Sequence, residues 1–229
     1  MRLLAIGDIH GHSLALEALL DEVGPTSSDE VVFLGDYVDK GPDVAGTLEL
    51  LSNLGAEYDW IFLRGNHDQM MLNAYRDSSV LGIWECLSGD NPLASYGVGS
   101  TEDLLRNIPD HHIHFIGERC RDFHETDSYI FAHAGIRSHV SPSEEDIDHL
   151  HWTVLSSAGA HSSGRTVICG HSSQATGRIA DLGHTICIDT GITKGKFLTC
   201  LDLSDFTYIQ SSAAGEILKG RLADRITSE

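Results

Sequence analysis

Basic side chains are scarce in this sequence. Its 229 residues contain 15 lysines and arginines against 34 aspartates and glutamates, which gives a formal net charge of −19 with histidine neutral. A general nucleic-acid-binding protein needs a basic face, so the composition argues against that class and no nucleic-acid partner is expected. Anionic substrates are still allowed, because bound divalent cations dominate the electric field of the site that holds them.

Long apolar runs and paired-cysteine motifs are also missing. No apolar stretch approaches the roughly 20 residues that span a membrane, and the N-terminus lacks the basic-then-apolar pattern of a signal peptide. The five cysteines are odd in number and lack any C-x-x-C spacing, which favours buried free thiols over disulfides. We therefore expect no membrane association and a reduced, cytoplasmic environment.

Short apolar runs predict buried β-strands at residues 2–6, 31–34, 60–63, 128–132, 166–169 and 185–188. Helical spacing predicts helices at 13–23 and 43–54, with Gly55 ending the second. Strands that alternate with helices are typical of an α/β fold. Apolar residues recur at helical intervals from about 69 to 121, which predicts a helical insertion within a single domain, 1–229. A closing hairpin is expected at 197–203 and 206–209, and a weak terminal helix from Ala213.

Polar side chains follow the predicted strands where each strand ends. These residues are Asp8, His10, Asp36, Asn66, His133 and His171. Taken singly, each is more often a helix cap, a turn former or a structural residue. Their repetition favours a shared site, because open α/β sheets bind ligands at the carboxyl ends of their strands.

Carboxylate, imidazole and amide groups together suit a mid-row divalent ion such as Mn²⁺, Fe or Zn²⁺, and the lack of a thiolate argues against a structural zinc site. Asp36 is central in the order of these residues and could bridge two ions. A pair about 3.5–4 Å apart clamps the attacking and leaving oxygens of an in-line displacement and acidifies a shared water into a hydroxide nucleophile. The sequence has no G-x-S-x-G motif that would supply a competing protein nucleophile.

The segments GDIHG, GDYVDKGPD and LRGNHDQMM resemble the motifs of the phosphoprotein phosphatase branch of the calcineurin-like metallophosphoesterases. HAG at His133, GH at His171 and IDTG at 188–191 extend the resemblance over most of the chain, which is most similar to the small bacterial and phage-type serine/threonine protein phosphatases. The resemblance implies a metallophosphoesterase fold. In it, two mixed β-sheets pack face to face, flanked by helices, with a dimetal site at the C-terminal ends of the strands.

The resemblance also implies residue roles. Asp8 and His10 would hold one divalent ion and Asp36 would bridge to a second, most suitably with Mn²⁺ in both positions. The second ion would be held by Asn66, His133 and His171. The general acid would be His67, oriented by Asp39, because an imidazolium can protonate a poor alkoxide leaving group. A phosphate contact is implied for Arg64, since a guanidinium grips tetrahedral oxygens in a bidentate way.

Three positions depart from the family pattern. Lys40 stands where the family usually has arginine, and it keeps the positive charge but loses the planar fork. Asp68 replaces the usual glutamate outside the metal shell. The Trp-x-Arg element retains Trp152 but lacks its arginine, for which Arg137 and Arg165 are candidate replacements.

The leading hypothesis is a dimetal phosphomonoesterase acting on phosphoserine and phosphothreonine in proteins. The alternatives are a symmetrical diadenosine tetraphosphate hydrolase or another nucleotide phosphohydrolase and, from another class, a weakly active phosphate-binding scaffold. His111, His112 and His114 form a separate cluster. We expect that cluster to lie at a helix start or on the surface. We expect no further metal ion there, because no carboxylate lies at a telling spacing from the three histidines.

Overall fold

Eight of the eleven strands in the described part of the chain lie close to a predicted strand, whereas the strands at 123–125, 180–181 and 217–221 were not predicted as strands. The computed structural model describes residues 1–88 and 91–222. Its strands are β1 (Leu3–Ile6), β2 (Glu30–Phe33), β3 (Ile61–Phe62), β4 (Phe123–Glu125), β5 (Tyr129–Ala132), β6 (Thr166–Cys169), β7 (Ala180–Asp181), β8 (Thr185–Cys187), β9 (Phe197–Asp202), β10 (Thr207–Ser212) and β11 (Ile217–Arg221).

The helices connect strands and also fill the segment between β3 and β4. They are α1 (Ser13–Val23), α2 (Val44–Glu57), α3 (Asn66–Arg76), α4 (Leu81–Ser88), α5 (Asn91–Tyr96), α6 (Thr101–Asn107), α7 (Asp110–His114) and α8 (Ile147–Trp152). The predicted helical segment at 69–121 thus contains α4 to α7, while α3 begins three residues earlier than expected. Within the described part of the chain, no helix has both the length and the apolar character needed to cross a membrane.

Two mixed sheets form the centre of the fold. One has the strand order β11-β10-β9-β1-β2-β3, and the other has the order β4-β5-β6-β8-β7. In the first sheet β1, β2 and β3 run parallel, and in the second β5, β6 and β8 do so. The carboxyl ends of the parallel strands carry the predicted site residues, so the topology brings these residues to one edge of each sheet.

The central strands of the sheets are buried on both faces, and the side-chain alternation of β1 shows how. Ala5 points into the apolar layer between the sheets, where it belongs to one cluster with Ile168 and Ile186 of the second sheet. Leu4 and Ile6 point to the other side and pack in the layer that contains the buried faces of α1 and α2. A strand covered on both faces reads as a continuous apolar run, which is why β1 could be predicted.

Two local predictions were wrong. Gly55 does not end α2, which continues to Glu57. A Cβ at Gly55 would lie 3.3 Å from the Phe115 ring, and its carbonyl accepts a hydrogen bond from Arg119, so this glycine permits close packing. The segment predicted as a terminal helix from Ala213 contains β11, which pairs with β10 in an antiparallel hairpin. Residues 223–229 lie outside the described residues.

Candidate metal centre

The loops that follow β1 and β2 are joined by backbone hydrogen bonds. The amides of Ile9 and His10 donate to the carbonyl of Asp36 at 3.0 and 2.8 Å, and Gly11 donates to the Tyr37 carbonyl at 2.8 Å. Two segments that are far apart in sequence are thereby held in one arrangement. The side chains of His10 and Asp36 consequently face each other.

A carboxylate on the first turn of α3 holds the loop that follows β2 in place. Asp68 accepts hydrogen bonds from the amides of Asp36, Tyr37 and Gly65 at 2.8–2.9 Å. The pKa of Asp68 is raised to about 6, mainly by burial and to a smaller extent by the nearby Asp36 carboxylate. The sequence pattern predicts Asp68 outside the metal shell, and its contacts are those of a residue that positions the loop of Asp36.

Several site residues adopt a backbone conformation that is uncommon for residues with a side chain. The φ angles are 46° at His10, 53° at Asp36, 69° at Asp39, 62° at Lys40 and 61° at His171. Non-glycine residues with positive φ are sparse in proteins and persist where the surrounding structure enforces them. Their concentration in the loops that follow β1, β2 and β6 favours a functional site there.

Two groups of potential ligand atoms meet at Asp36. One group comprises His10, Asp36 and His67, and the other Asp36, His133 and His171; within each group the atoms lie within 4.8 Å of one another. Asp36 Oδ2 is 3.3 Å from His10 Nε2, whereas Asp36 Oδ1 is 3.4 Å from His133 Nε2. Each oxygen of the carboxylate therefore faces a different imidazole, which is the geometry expected of a bridging ligand.

Hydrogen bonds fix which nitrogen of two imidazoles is free to bind a metal. Nδ1 of His10 is 2.8 Å from the Val38 carbonyl, and Nδ1 of His133 is 2.8 Å from the Leu34 carbonyl. A carbonyl only accepts, so Nδ1 carries a proton in both rings, and in the neutral form of each ring the lone pair lies on Nε2. Metal-binding histidines commonly have such a partner on the second nitrogen.

The atoms around His133 fit a cation. Burial lowers the pKa of His133 to about 3, so the ring is neutral near pH 7. Its Nε2 lone pair faces Oδ1 of Asn66 at 3.0 Å and Oδ1 of Asp36 at 3.4 Å. Three acceptor atoms at these separations repel one another unless a positive ion lies between them. The nitrogen and oxygen donors suit a mid-row divalent ion.

Asp8 is buried beside these groups but belongs to neither of them. Its carboxylate accepts the amide N–H of His171 at 3.0 and 3.2 Å. The preceding Gly170 allows this contact, since a Cβ there would lie 2.0 Å from Asp8 Oδ1. The pKa of Asp8 is raised well above its usual value, mainly by burial and to a smaller extent by the carboxylates of Asp189 and Asp36. A divalent ion would offset this crowding of negative charge.

His67 and Asp39 form a buried hydrogen-bonded pair. His67 Nδ1 lies 2.6 Å from Asp39 Oδ2. Trp84 Nε1 donates to the same carboxylate at 3.0 and 3.1 Å. The sequence predicts the histidine and the aspartate but not the contribution of Trp84, because nothing in its spacing reveals an indole N–H directed at Asp39.

A cavity of about 270 Å³ opens onto these side chains. Its lining residues are His10, Asp36, Lys40, Asn66, His67, His171, Ser173, Asp189, Thr193 and Lys194. Four of them, at positions 173, 189, 193 and 194, were not predicted as site residues. A signal was present for Asp189, which follows a strand within the IDTG segment. Ser173 lies in a loop and Lys194 ends a short 3-10 helix, Ile192–Lys194, and only the tertiary structure brings the two residues together.

The predicted phosphate-binding arginines have other partners. Arg64 donates to the carbonyls of Ile116 and Cys120 and to Gln69. Each candidate replacement arginine is paired with a carboxylate. The two pairs are Arg137 with Glu145 and Arg165 with Glu125. The cavity is instead lined by two lysines, Lys40 and Lys194. Lys40 Nζ lies 3.3 Å from His10 Nε2.

The model of one protein family, described as calcineurin-like phosphoesterase, matches residues 1–186. The chain belongs to this family. Members of the calcineurin-like phosphoesterase family use a dimetal centre, and the two ligand groups around Asp36 provide candidate residues for such a centre. The chain is accordingly a hydrolase of phosphoesters.

The proteins that are similar to this chain include both protein phosphatases and dinucleotide tetraphosphatases. Serine/threonine-protein phosphatase 1 of Salmonella typhimurium is 32% identical over 207 residues, covering 85% of this chain and 88% of the relative. The asymmetrical bis(5′-nucleosyl)-tetraphosphatase PrpE of Oceanobacillus iheyensis is 21% identical over 257 aligned positions, covering 98% and 97%. A crystal structure described as a putative diadenosine tetraphosphatase superposes with a TM-score of 0.59 at 22% identity, covering 96% and 93%. The last similarity shows the shared fold alone.

Proposed function

We propose that this chain is a dimetal-dependent phosphomonoesterase that hydrolyses phosphoserine and phosphothreonine in proteins. The observation that carries the proposal is the His67–Asp39 pair, which lies at the cavity where the two ligand groups share Asp36. A proton donor is needed because serine and threonine alkoxides are poor leaving groups. The Salmonella protein phosphatase supports the same substrate class, since it aligns with most of this chain.

The six predicted ligands would hold two divalent ions, with Mn²⁺ as our first choice and Fe or Zn²⁺ as alternatives. His10 and Asp8 would serve one ion, Asn66, His133 and His171 the other, and Asp36 both. When bound, such a pair supplies positive charge for the phosphoryl oxygens and an acidified water for in-line attack. The protein contributes rigidity, because most of these side chains are already held by backbone carbonyls and amides.

His67 would donate the proton to the leaving alkoxide. Its Nδ1 is committed to Asp39, so Nε2 is the nitrogen that remains for the cavity. Asp39 in turn is held by the Trp84 indole, which limits rotation of the carboxylate and hence of the ring. The close approach of His67 to His10 and Asp36 also makes it a candidate metal ligand. Metal content and turnover rate, both measured on His67→Asn, separate the two roles.

The substrate phosphate would contact lysine side chains at the cavity. Lys40 and Lys194 line it, and both carry a flexible point charge in place of the planar fork of an arginine. Lys194 Nζ donates to the Ser173 carbonyl at 3.3 Å, which places its charge at the rim. Arg64 stays a predicted phosphate contact; to reach a substrate it would have to exchange its present partners at Ile116 and Cys120.

One preparation assayed on several substrates tests this proposal. We expect Mn²⁺-dependent release of phosphate from p-nitrophenyl phosphate and from phosphoserine and phosphothreonine peptides. A much larger kcat/KM for diadenosine tetraphosphate than for every phosphopeptide would assign the enzyme to the nucleotide hydrolases instead. No turnover of any substrate with Mn²⁺, Fe or Zn²⁺ present would leave only the scaffold hypothesis.

A specific observation favours the nucleotide hydrolase as the second candidate. Trp152 is 45% exposed, and its ring centroid lies 6.1 Å from that of His171. It lines a groove of about 670 Å³ together with Arg137 and His149. An exposed indole beside a phosphate site can stack on a nucleobase. Replacing Trp152 with leucine should therefore raise KM for a dinucleotide far more than for p-nitrophenyl phosphate if this candidate is correct.

A further inference from the structure

We infer that Glu49, His111 and His112 form a separate binding site for a zinc-like divalent cation. The ligand atoms of these three side chains lie within 4.8 Å of one another. Glu49 belongs to α2, whereas the histidines belong to α7. None of the three residues takes part in the groups around Asp36, so the site is distinct from the candidate dimetal centre.

The distances suit a single ion held by three ligands. Glu49 Oε2 lies 2.8 Å from His111 Nε2 and 3.3 Å from His112 Nε2. Zinc binds nitrogen and oxygen at about 2.0–2.2 Å, so tetrahedral ligands lie about 3.3–3.5 Å apart. A small outward shift of Glu49, which is 53% exposed, would make room for the ion. Two histidines and one glutamate are an established zinc ligand set that leaves a fourth position for water.

A hydroxyl group orients the buried ligand of this site. His112 has only 2% of its side chain exposed, and its Nδ1 lies 2.8 Å from the Tyr96 hydroxyl. A metal on Nε2 requires the proton on Nδ1, where the Tyr96 oxygen can accept it. This arrangement is the second-nitrogen partner that metal-binding histidines commonly have. If Glu49, His111 and His112 were only hydrogen-bonded to one another, with no metal ion, the cluster would not require a hydroxyl group beside Nδ1 of His112.

The charge of the chain favours a cation here, since the formal net charge is −19. An ion at this position would join α2 to the helical segment between β3 and β4. Because a ligand that binds only the folded state stabilises it, zinc should raise the melting temperature of the protein. The inferred role is therefore a cross-link between two helices.

Zinc content measured by mass spectrometry after equilibration at a fixed free Zn²⁺ concentration tests the site. We expect His111→Gln and Glu49→Gln to bind one zinc equivalent fewer per chain than the wild type. His114→Gln is the matched control, because His114 lies on the same helix, is 66% exposed and faces Glu118 instead. All these positions are exposed, so the variants should fold. The comparison does not depend on how many ions the centre around Asp36 holds, since that centre is unaltered.

Two further readouts make the result decisive. Tyr96→Phe keeps the ring packing but removes the hydroxyl, and we expect zinc affinity at this site to fall by about 10- to 100-fold. The zinc-induced rise in melting temperature should be smaller in His111→Gln than in His114→Gln. If His111→Gln and Glu49→Gln retain the full zinc content of the wild type, the trio is only a hydrogen-bonded cluster and the inference is wrong.

Discussion

Nδ1 of His67 lies 2.6 Å from Oδ2 of Asp39, and both groups are buried where α3 begins below the candidate metal centre. The pair leaves Nε2 of His67 as the atom directed to the cavity. A histidine with one nitrogen fixed in this way can deliver a proton to one place repeatedly. The predicted chemistry depends on this orientation and on the ligand groups that share Asp36.

His67→Asn should lower kcat for a phosphoserine peptide by about 10²–10⁴-fold, the usual contribution of a general acid. The loss should be smaller for p-nitrophenyl phosphate, whose leaving group needs little protonation. Metal content measured on the same samples should not change. Loss of a metal equivalent would instead identify His67 as a ligand, and unchanged turnover of both substrates would refute either role.

Trp84→Phe should lower kcat by roughly tenfold, which corresponds to losing about 1.4 kcal/mol of hydrogen bonding to the Asp39 carboxylate. KM should change little, because the indole does not line the cavity. Trp60→Phe is the matched control, since Trp60 is also buried but its Nε1 has no hydrogen-bond partner among the described residues. Equal rates for the two variants would show that the indole N–H of Trp84 does not support catalysis.

Lys194→Gln should raise KM for phosphoserine peptides by roughly tenfold and leave kcat within a few-fold, since a charge-assisted contact to phosphate contributes about 1.5–3 kcal/mol before screening by solvent. Lys196→Gln is the comparison, because Lys196 lies two residues away and does not line the cavity. Steady-state kinetics at two salt concentrations provide the measurement. If both variants behave alike, the lysine at 194 has no specific role in phosphate binding.

Gly35→Ala should both destabilise the protein and weaken metal binding. Gly35 has φ of +100°, and a Cβ there would lie 2.5 Å from the amide nitrogen of Gly65, so the loop carrying Asp36 must move. Gly24 also has a positive φ, +54°, but has open space around it. Gly24→Ala should therefore show only the conformational cost of about 1–2 kcal/mol. Urea unfolding and metal analysis should separate the two variants, and equal values would argue against the steric explanation.

Asp29→Asn should reduce stability at pH 7 by about 1–2 kcal/mol, a value discounted because the partner Arg2 is partly exposed. The Arg2 guanidinium, 2.7 Å away, holds the pKa of Asp29 below its ordinary value. A lowered folded-state pKa gives stability that is present above the unfolded value near 4 and is lost as the pH falls below it. The difference between variant and wild type in urea unfolding should therefore shrink from pH 7 to pH 3. A constant difference would contradict this linkage.

Much of the fold could be predicted because the central strands are buried on both faces. Such strands read as continuous apolar runs, and β6 was predicted with its observed bounds, 166–169. The edge strand β11 was mistaken for a helix, because its burial pattern is mixed and its pairing with β10 depends on a neighbour elsewhere in the chain. Gly55 was misread for a similar reason, since its role is set by Phe115 and Arg119 packing against it.

The sequence by itself determined which donor groups stand at the strand ends, and these carboxylate, imidazole and amide groups are of the types that a dimetal site requires. Only the tertiary structure decided which other side chains join them. It brought the Trp84 indole to Asp39, moved Lys194 to the cavity rim and brought Glu49, which is 62 residues away from His111 in sequence, to the histidine cluster. The physical reason is that strand ends are local features of the chain, whereas contacts between distant helices and turns exist only once the chain has packed.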